Sequence, residues 1–280
     1  MAGTASASER RSPLAPYLLV GPGVIWLILF YVVPTLALAR TSVSGAGPWW
    51  GGYARAFADY GDHLGRSFGY ASLATAAGFL LGYPLAYVMA FRAGRLKNLL
   101  LGLVILPFFT TFLVRTFAWK TILGDGGMAV SFLSFLHLLP EEGRLLNTSW
   151  AVVGGLTYNF LPFMILPIYV SLEKIDRRLV EAAQDLYSSQ LRVFVRVVFP
   201  LSLPGVFAGS LLTFIPASGD FINAELLGSP NQRVLGSVIQ GQFLTVRDYP
   251  LAAALSFVLM IIIIALVLTY TRILGTEDLA

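Results

Sequence analysis

The sequence predicts an all-α, polytopic membrane protein with about six transmembrane helices. Of its 280 residues, 56% are hydrophobic and only 12% are charged, whereas soluble domains carry about 25% charged residues. A hydrocarbon core about 30 Å thick needs about 20 apolar residues per helix. Six segments meet this requirement, at approximately residues 16–39, 67–91, 98–122, 149–171, 201–226 and 250–272.

The first segment could be mistaken for a secretory signal, because Arg10 and Arg11 precede it and residues 37–39 resemble a cleavage site. Its apolar run exceeds the about 7–15 residues of a signal's hydrophobic region. We therefore expect an uncleaved helix after a disordered tail over residues 1–15. The third and fifth segments contain polar residues but remain mainly apolar. A short tail over residues 273–280 follows the membrane domain, which spans residues 16–272.

The basic residues of the loops predict the orientation of the chain. Cytoplasmic loops of membrane proteins carry an excess of Lys and Arg. With the N-terminus inside, the cytoplasmic segments hold Arg10, Arg11, Arg92, Arg95, Lys97, Lys174, Arg177, Arg178, Arg192, Arg196 and Arg272. Both termini and the loop over residues 173–200 are therefore expected in the cytoplasm, where ATP is available.

Proline and glycine are frequent inside the predicted spans, which favours a bundle of kinked helices that can move. Each broken backbone hydrogen bond in hydrocarbon must be satisfied by neighbouring protein or by water in a cavity. Two Gly-x-x-x-Gly patterns, Gly78 to Gly82 and Gly205 to Gly209, fit close helix packing.

Ionisable residues in membrane segments are costly and often functional. Arg115 lies far along the third segment, where it can reach the outer interface by extending its side chain. Asp220 and Glu225 lie towards the outer end of the fifth segment, after an expected break at Pro216. These two carboxylates could coordinate a cation. Alternatively, they mark where that helix has already left the membrane.

Several kinds of chemistry find no support in the sequence. Because the chain has no cysteine, disulfides and thiolate catalysis are excluded. There is no phosphate-binding Gly-x-x-x-x-Gly-Lys-Ser/Thr pattern and no His-Glu-x-x-His metal motif. The basic residues are scattered rather than clustered into a nucleic-acid-binding patch. A membrane-embedded enzyme is therefore the weak alternative, and we expect no metal or cofactor on this chain.

The loop over residues 173–200 has a regular internal pattern, which predicts two short amphipathic helices. The first runs from Asp176 to about Ser189, and its expected apolar face contains Leu179, Ala182, Ala183 and Leu186. The second covers about 190–199, and its expected apolar face contains Leu191, Phe194, Val195 and Val198. Pro200 then begins the fifth span. We interpret the loop as a docking surface for a cytoplasmic partner; the alternative is a helix pair lying on the lipid surface.

This loop resembles the signature loop of ABC importer permeases, whose pattern is Glu-Ala-Ala, three residues, Gly, nine residues, Ile, one residue, Leu-Pro. Here the matching residues are Glu181, Ala182 and Ala183, then Val197 and Phe199 as apolar substitutes, then Pro200. Tyr187 occupies the glycine position. If that position needs a left-handed backbone, a tyrosine there costs about 1–2 kcal/mol.

The resemblance covers nearly the whole chain, from about residue 15 to 272. The strings at 106–119, 215–228, 242–244 and 248–250 are similar to permeases of the spermidine/putrescine type. The resemblance implies the type I ABC importer permease fold and a non-catalytic subunit in the bacterial inner membrane. Its expected partners are a second permease subunit, two ATPase subunits that bind ATP and Mg, and an extracytoplasmic substrate-binding protein.

The resemblance also implies roles for particular residues. The expected ATPase-coupling residues are Glu181, Ala182, Ala183, Asp185, Leu186, Tyr187 and Pro200. A polyamine pathway would offer carboxylates for ammonium groups and aromatic faces for cation–π contact; the candidates are Asp220, Glu225, Trp119 and Tyr158. Two alternatives stay open. One is an importer permease for iron, sulfate or another solute. The other is an ion-coupled secondary transporter. Such a transporter should show an internal repeat, and inspection of the sequence finds none.

Overall fold

The computed structural model describes residues 15–45, 47–137, 143–186 and 189–273, and every regular element within these ranges is helical. Both expected tails lie almost wholly outside the described residues. In chain order the α-helices are α1 (Ala15–Leu27), α2 (Val33–Ser42), α3 (Gly51–Ala58), α4 (Gly61–Phe91), α5 (Lys97–Ile105), α6 (Phe112–Leu123), α7 (Met128–Phe135), α8 (Ser149–Glu173), α9 (Arg177–Leu186), α10 (Gln190–Val193), α11 (Phe199–Gly219), α12 (Ile222–Leu227), α13 (Leu235–Gly241) and α14 (Tyr249–Ile273).

Short turns of other helix types join several of these α-helices without a loop. Three five-residue π-helical turns cover Ile28–Val32, Phe194–Val198 and Gln242–Val246. Three 3₁₀ turns cover Gly94–Leu96, Leu106–Phe109 and Pro230–Gln232.

Within the described ranges, five helical segments are long and apolar enough to cross a membrane, and a bent pair could form a sixth span. The five segments are Val20–Ser42, Gly61–Phe91, Ser149–Glu173, Gln190–Gly219 and Tyr249–Arg272. They correspond to the first, second, fourth, fifth and sixth predicted spans.

The third predicted span, residues 98–122, is not one continuous helix. Gly94–Phe109 and Phe112–Phe135 are bent relative to each other by 97°. The chain is extended at Thr110 and Thr111, with ψ angles of 139° and 146°. The apolar composition on both sides of this break concealed it in the sequence.

The fifth predicted span also differs from the expectation. Pro216 lies inside α11, and the helix continues to Gly219. The break comes at Asp220, whose ψ is 119°, and α12 follows as a separate short helix. A proline that interrupts one backbone hydrogen bond therefore does not end this helix, whereas the extended residue does.

The helices α4, α8 and α11 form the centre of the bundle, and glycines set their spacing. A Cβ on Gly205 would lie 2.5 Å from the Pro167 carbonyl oxygen and 2.5 Å from Ser171 Cβ. A Cβ on Gly209 would lie 2.9 Å from the Met164 carbonyl oxygen. The backbones of α8 and α11 can approach this closely only because these positions carry no side chain.

The first span is the least covered part of the fold. None of the most apolar 18-residue window of Val20–Ser42 is buried inside this chain. Its C-terminal part, α2, packs on α14, and α3 packs on the same helix. The remaining apolar side chains of this span face outwards, as expected for a helix surrounded by lipid or another subunit.

Candidate functional site

The loop over residues 173–200 folds as the short helices α9 and α10, and α10 continues through a π-helical turn into α11. Asp176 Oδ1 accepts a hydrogen bond of 2.9 Å from the Arg178 backbone N–H at the start of α9. The Ser189 hydroxyl oxygen accepts one of 3.4 Å from the Arg192 N–H at the start of α10. Tyr187 lies outside the described residues, as does the side chain of Leu186, so the expected strain at Tyr187 stays a prediction.

The apolar face predicted for α9 is wrong in part. Ala183 is buried, with 6% exposure, and Val180 packs against the same cluster of apolar residues. Leu179 is 52% exposed, and Ala182 is also exposed. Of the two alanines expected to admit a partner, Ala183 contacts its own chain and only Ala182 is accessible.

The face predicted for the second helix is wrong in a similar way. Val193 and Val198 are buried, whereas Leu191 is 72% and Val195 54% exposed. The cause is the π-helical turn at Phe194–Val198. Hydrogen bonds in such a turn span one residue more than in an α-helix, so the turn shifts which side chains face the core.

Aromatic contacts connect this loop to the transmembrane helices. The Tyr83 ring on α4 lies 5.7 Å from the Phe194 ring and 5.8 Å from the Phe199 ring, measured between centroids. The Tyr83 hydroxyl forms a buried hydrogen bond of 2.8 Å with the Ser202 hydroxyl on α11. Tyr87, one turn further along α4, also packs edge-on against Phe194 at 5.8 Å. The loop is therefore part of the packed core.

A polar groove of about 290 Å³ lies beside α9, next to the buried cluster. Its α9 wall contains Arg177, Val180, Glu181 and Gln184, which share one helical face by their spacing of three and four residues. The opposite wall and floor are formed by Tyr87, Phe91, Arg92, Gln190, Val193, Phe194 and Val198. Glu181, the first residue of the signature, thus lines this groove.

An ion pair joins α5 to α8 at the same end of the bundle as this loop. The Lys97 ammonium, at the start of α5, donates a hydrogen bond to Glu173 Oε1 at the end of α8. The same ammonium lies 5.4 Å from the centre of the Tyr169 ring. Both partners are partly exposed, so this contact fixes α5 beside α8 mainly through its geometry.

A buried polar cluster joins the helix break to α8 and α12. Asn159 Nδ2 donates to Thr116 Oγ1 at 3.3 Å and to Asn223 Oδ1 at 3.2 Å. Asn223 in turn donates to Asp220 Oδ1, from its backbone N–H at 2.8 Å and from Nδ2 at 3.3 Å. The sequence analysis missed Asn159, although an asparagine inside an apolar span is a recognisable signal.

Arg115 is buried inside the chain, whereas the sequence analysis expected its side chain to extend outwards. Its side chain is 8% exposed, and its guanidinium lies 5.8 Å from the Phe108 ring and 5.7 Å from the Phe112 ring. These rings stand on either side of the break at residues 110–111. Within the described part of the chain, its buried Nε and Nη1 atoms have no hydrogen-bond partner.

The structure brings together only some of the predicted pathway residues. Trp119 and Tyr158 meet edge to face, with centroids 5.4 Å apart. Asp220 is half-buried and holds the start of α12. Glu225 is exposed and lines a separate groove of about 650 Å³ beside His63 and Arg233. The two carboxylates therefore have different neighbours, and their coordination of a cation stays a prediction.

A comparison with protein families identifies the chain's relatives. Residues 78–274 match the model of the binding-protein-dependent transport system inner membrane component. The chain belongs to this family. It is 38% identical over 256 residues to the spermidine/putrescine transport system permease protein PotB of Escherichia coli (strain K12), covering 88% of this chain and 93% of that one. It is 35% identical over 231 residues to the inner membrane ABC transporter permease protein YdcU of the same organism, covering 78% and 72%.

A solved structure shows the same fold. A chain of a bacterial alginate ABC transporter, in complex with a periplasmic protein bound to an alginate pentasaccharide, superposes with a TM-score of 0.73. The match covers 95% of this chain and 94% of that chain at 17% sequence identity. The predictions of an all-α ABC importer permease fold and of a multi-pass inner-membrane protein are confirmed. The orientation of the termini and the roles of individual residues stay predictions.

Proposed function

We propose that this family member is a permease subunit of an ATP-driven importer of polyamines such as spermidine and putrescine. The main support for this proposal is the 38% identity to PotB, which extends over 88% of this chain and 93% of that relative. A match of that extent includes the helix break, the bundle centre and the loop over residues 173–200. The residues that line a pathway and those that contact partners therefore fall within the shared region.

The proposed role of the loop is to couple ATP hydrolysis in a partner to the membrane helices. Support comes from the packing of the loop, because Ala183, Val193 and Val198 belong to the same buried cluster as Tyr83 and Met164. A displacement of α9 would therefore be passed to α4, α8 and α11 through side chains that pack against one another. Coupling between sites requires such an element with more than one stable arrangement.

The proposed pathway follows α6, α8 and α12. Trp119 and Tyr158 offer adjacent aromatic faces, to which an ammonium group binds with about 0.5–2 kcal/mol. Asp220 and Glu225 would act at separate points, since they lie in different surroundings. Arg115 would repel a polycation, although its guanidinium lies against the Phe108 and Phe112 rings rather than on an exposed surface.

The complete transporter would contain a second permease subunit, two ATPase subunits and an extracytoplasmic substrate-binding protein. The family depends on a binding protein by its own description; the remaining partners belong to the proposal. ATP and Mg would be bound by the ATPase subunits, and this chain would be non-catalytic. Both termini and α9 would then face the cytoplasm.

The test is ATP-dependent uptake by the complete co-expressed transporter in proteoliposomes. Spermidine and putrescine would be compared with ferric iron and sulfate, for the unmodified chain, for Glu181→Ala and for a control, Arg178→Ala. We expect polyamine uptake that Glu181→Ala abolishes while the complex still assembles. Uptake of a different solute would refute the polyamine cargo. Uptake indifferent to ATP and to Glu181→Ala would refute the coupling role.

The pathway carboxylates need a separate test. The substitutions Asp220→Asn and Glu225→Gln remove both charges, and the amide oxygen of the first can still accept the Asn223 N–H bond. We expect reduced polyamine uptake with normal assembly. Normal uptake by the double variant would remove both residues from the pathway.

A further inference from the structure

The groove beside Glu181 carries charges that the described part of the chain does not neutralise. Arg177 and Glu181 stand on α9, and Arg92 follows the last residue of α4 on the opposite wall. All three are exposed. None of them forms an ion pair within 4.0 Å, because the described ion pairs join other residues.

The balance of charge in this groove is positive. It contains the two guanidinium groups of Arg92 and Arg177 against the single carboxylate of Glu181. Two further carboxylates lie close by but do not line the groove: Glu173 accepts from Lys97 and also interacts electrostatically with Arg177, and Asp176 accepts from the Arg178 N–H. One carboxylate cannot neutralise two arginines, so the groove has room for one further anionic group.

The shape of the groove restricts what that group can be. A volume of about 290 Å³ admits one side chain rather than a helix. Tyr87, Phe91 and Phe194 line the groove, so a carboxylate that enters is partly shielded from water. Arginine presents paired N–H groups that match the two oxygens of a carboxylate.

We propose that this groove receives an acidic side chain of the partner ATPase, whose carboxylate binds Arg92 and Arg177. The inference rests on the proposed function, in which the loop docks on that ATPase. It adds a second contact to the one expected at Glu181. In this second contact the permease side chains are positively charged and the ATPase side chain is negatively charged. Because Arg92 follows α4 and Arg177 begins α9, one bound carboxylate joins both helices to the ATPase.

Charge reversal tests the proposal in the complete co-expressed transporter. Arg92→Glu and Arg177→Glu, singly and together, are compared with Arg95→Glu and Arg178→Glu, which change the same charge at exposed positions outside the groove. A charged hydrogen-bonded contact of this kind corresponds to about a tenfold to hundredfold change in affinity. We expect the groove variants to weaken co-purification of the ATPase by about that factor. The control variants should leave it within about twofold, the effect typical of a solvent-exposed charge.

Chemical cross-linking identifies the class of partner. A carbodiimide joins a lysine amine to a carboxylate in direct contact, so Arg92→Lys supplies a reactive amine in the groove and Arg95→Lys serves as the control. A cross-link from position 92 to an aspartate or glutamate of the ATPase, absent from position 95, is the expected result. A cross-link from position 92 only to Glu181 of the same chain would overturn the proposal.

The outcomes separate this inference from the proposed function. If Glu181→Ala uncouples transport while the groove variants bind the ATPase normally, the loop docks but the groove receives no acidic residue. If the groove variants lose binding only in anionic-lipid vesicles and retain it in detergent, a lipid headgroup occupies the groove and the proposal is wrong.

Discussion

Two adjacent glycines in α8 allow a matched test of how α12 is docked. A Cβ on Gly155 would lie 2.4 Å from Leu227 Cδ1 and 2.7 Å from Asn223 Oδ1, whereas a Cβ on Gly154 would have nothing within 4 Å. Carbon atoms in contact prefer separations of about 3.5–4.0 Å. Gly155→Ala therefore creates an overlap of about 1 Å with Leu227, which is itself fully buried.

The cost of Gly155→Ala has separable contributions. Overpacking a filled core costs about 1–3 kcal/mol. Displacing Asn223 breaks its hydrogen bond with Asn159, which adds about 1 kcal/mol, and replacing glycine by alanine in a helix returns about 1 kcal/mol. The expected net loss is about 1–3 kcal/mol. Gly154→Ala has only the last contribution and should be neutral or stabilising.

Thermal unfolding of the purified transporter in detergent measures the difference. At about 2–4 °C per kcal/mol, Gly155→Ala should lower the midpoint by several degrees, and Gly154→Ala should keep or raise it. Polyamine uptake should fall only in the Gly155 variant, because α12 carries Glu225. Equal midpoints for the two variants would show that α12 does not pack on α8 as described.

Three further variants test other contacts of the fold. Tyr83→Phe keeps the aromatic packing but removes the bond to Ser202, so it should cost about 1 kcal/mol. In a Ser202→Ala background, which also lacks the bond from Ser202 to the Phe199 carbonyl oxygen, Tyr83→Phe should cost almost nothing, and an equal cost in both backgrounds would contradict a direct bond. Arg115→Met should leave the unfolding midpoint unchanged or raise it, because it removes a buried charge with unmet donors; a fall of many degrees would mean that the assembled transporter supplies partners for that guanidinium. Gly205→Ala should force α8 and α11 apart, cost about 1–3 kcal/mol of stability and lower the midpoint, whereas Gly69→Ala, with open space around it, should not.

The number and position of most spans could be predicted from the sequence, because continuous apolar composition is a sufficient signal for a membrane helix. The break at residues 110–111 could not, since an extended pair of threonines leaves the hydropathy of its surroundings unchanged. Contacts of Arg115 with Phe108 and Phe112 span the bend, and hydropathy does not report such contacts. Composition indicates which segments can span the bilayer, whereas side-chain packing determines where such a segment bends.

The candidate site was predicted with uneven success for a related reason. The signature around Glu181 gave the location of the loop and the family of the chain. The burial of Ala183 and the exposure of Leu191 depend on how the helices rotate about their axes. That rotation is changed by a π-helical turn, which has no distinctive residue pattern here. The cluster of Asn159 and Asn223 involves residues far apart in sequence, so only the fold brings them together.

The π-helical turn at Phe194–Val198 also sets how the loop over residues 173–200 is rotated about the axis of α11. Successive residues of an α-helix are rotated by about 100° around the axis. Deleting one residue inside this turn would restore regular α-helical bonding and turn everything before it by about that angle relative to α11. The helix would remain intact, but the groove that contains Glu181 would face another direction. The number of residues between Glu181 and Pro200 therefore determines which way the groove faces. A single deletion in the turn could uncouple the loop from its partner even though all the side chains that line the α9 wall of the groove are still present.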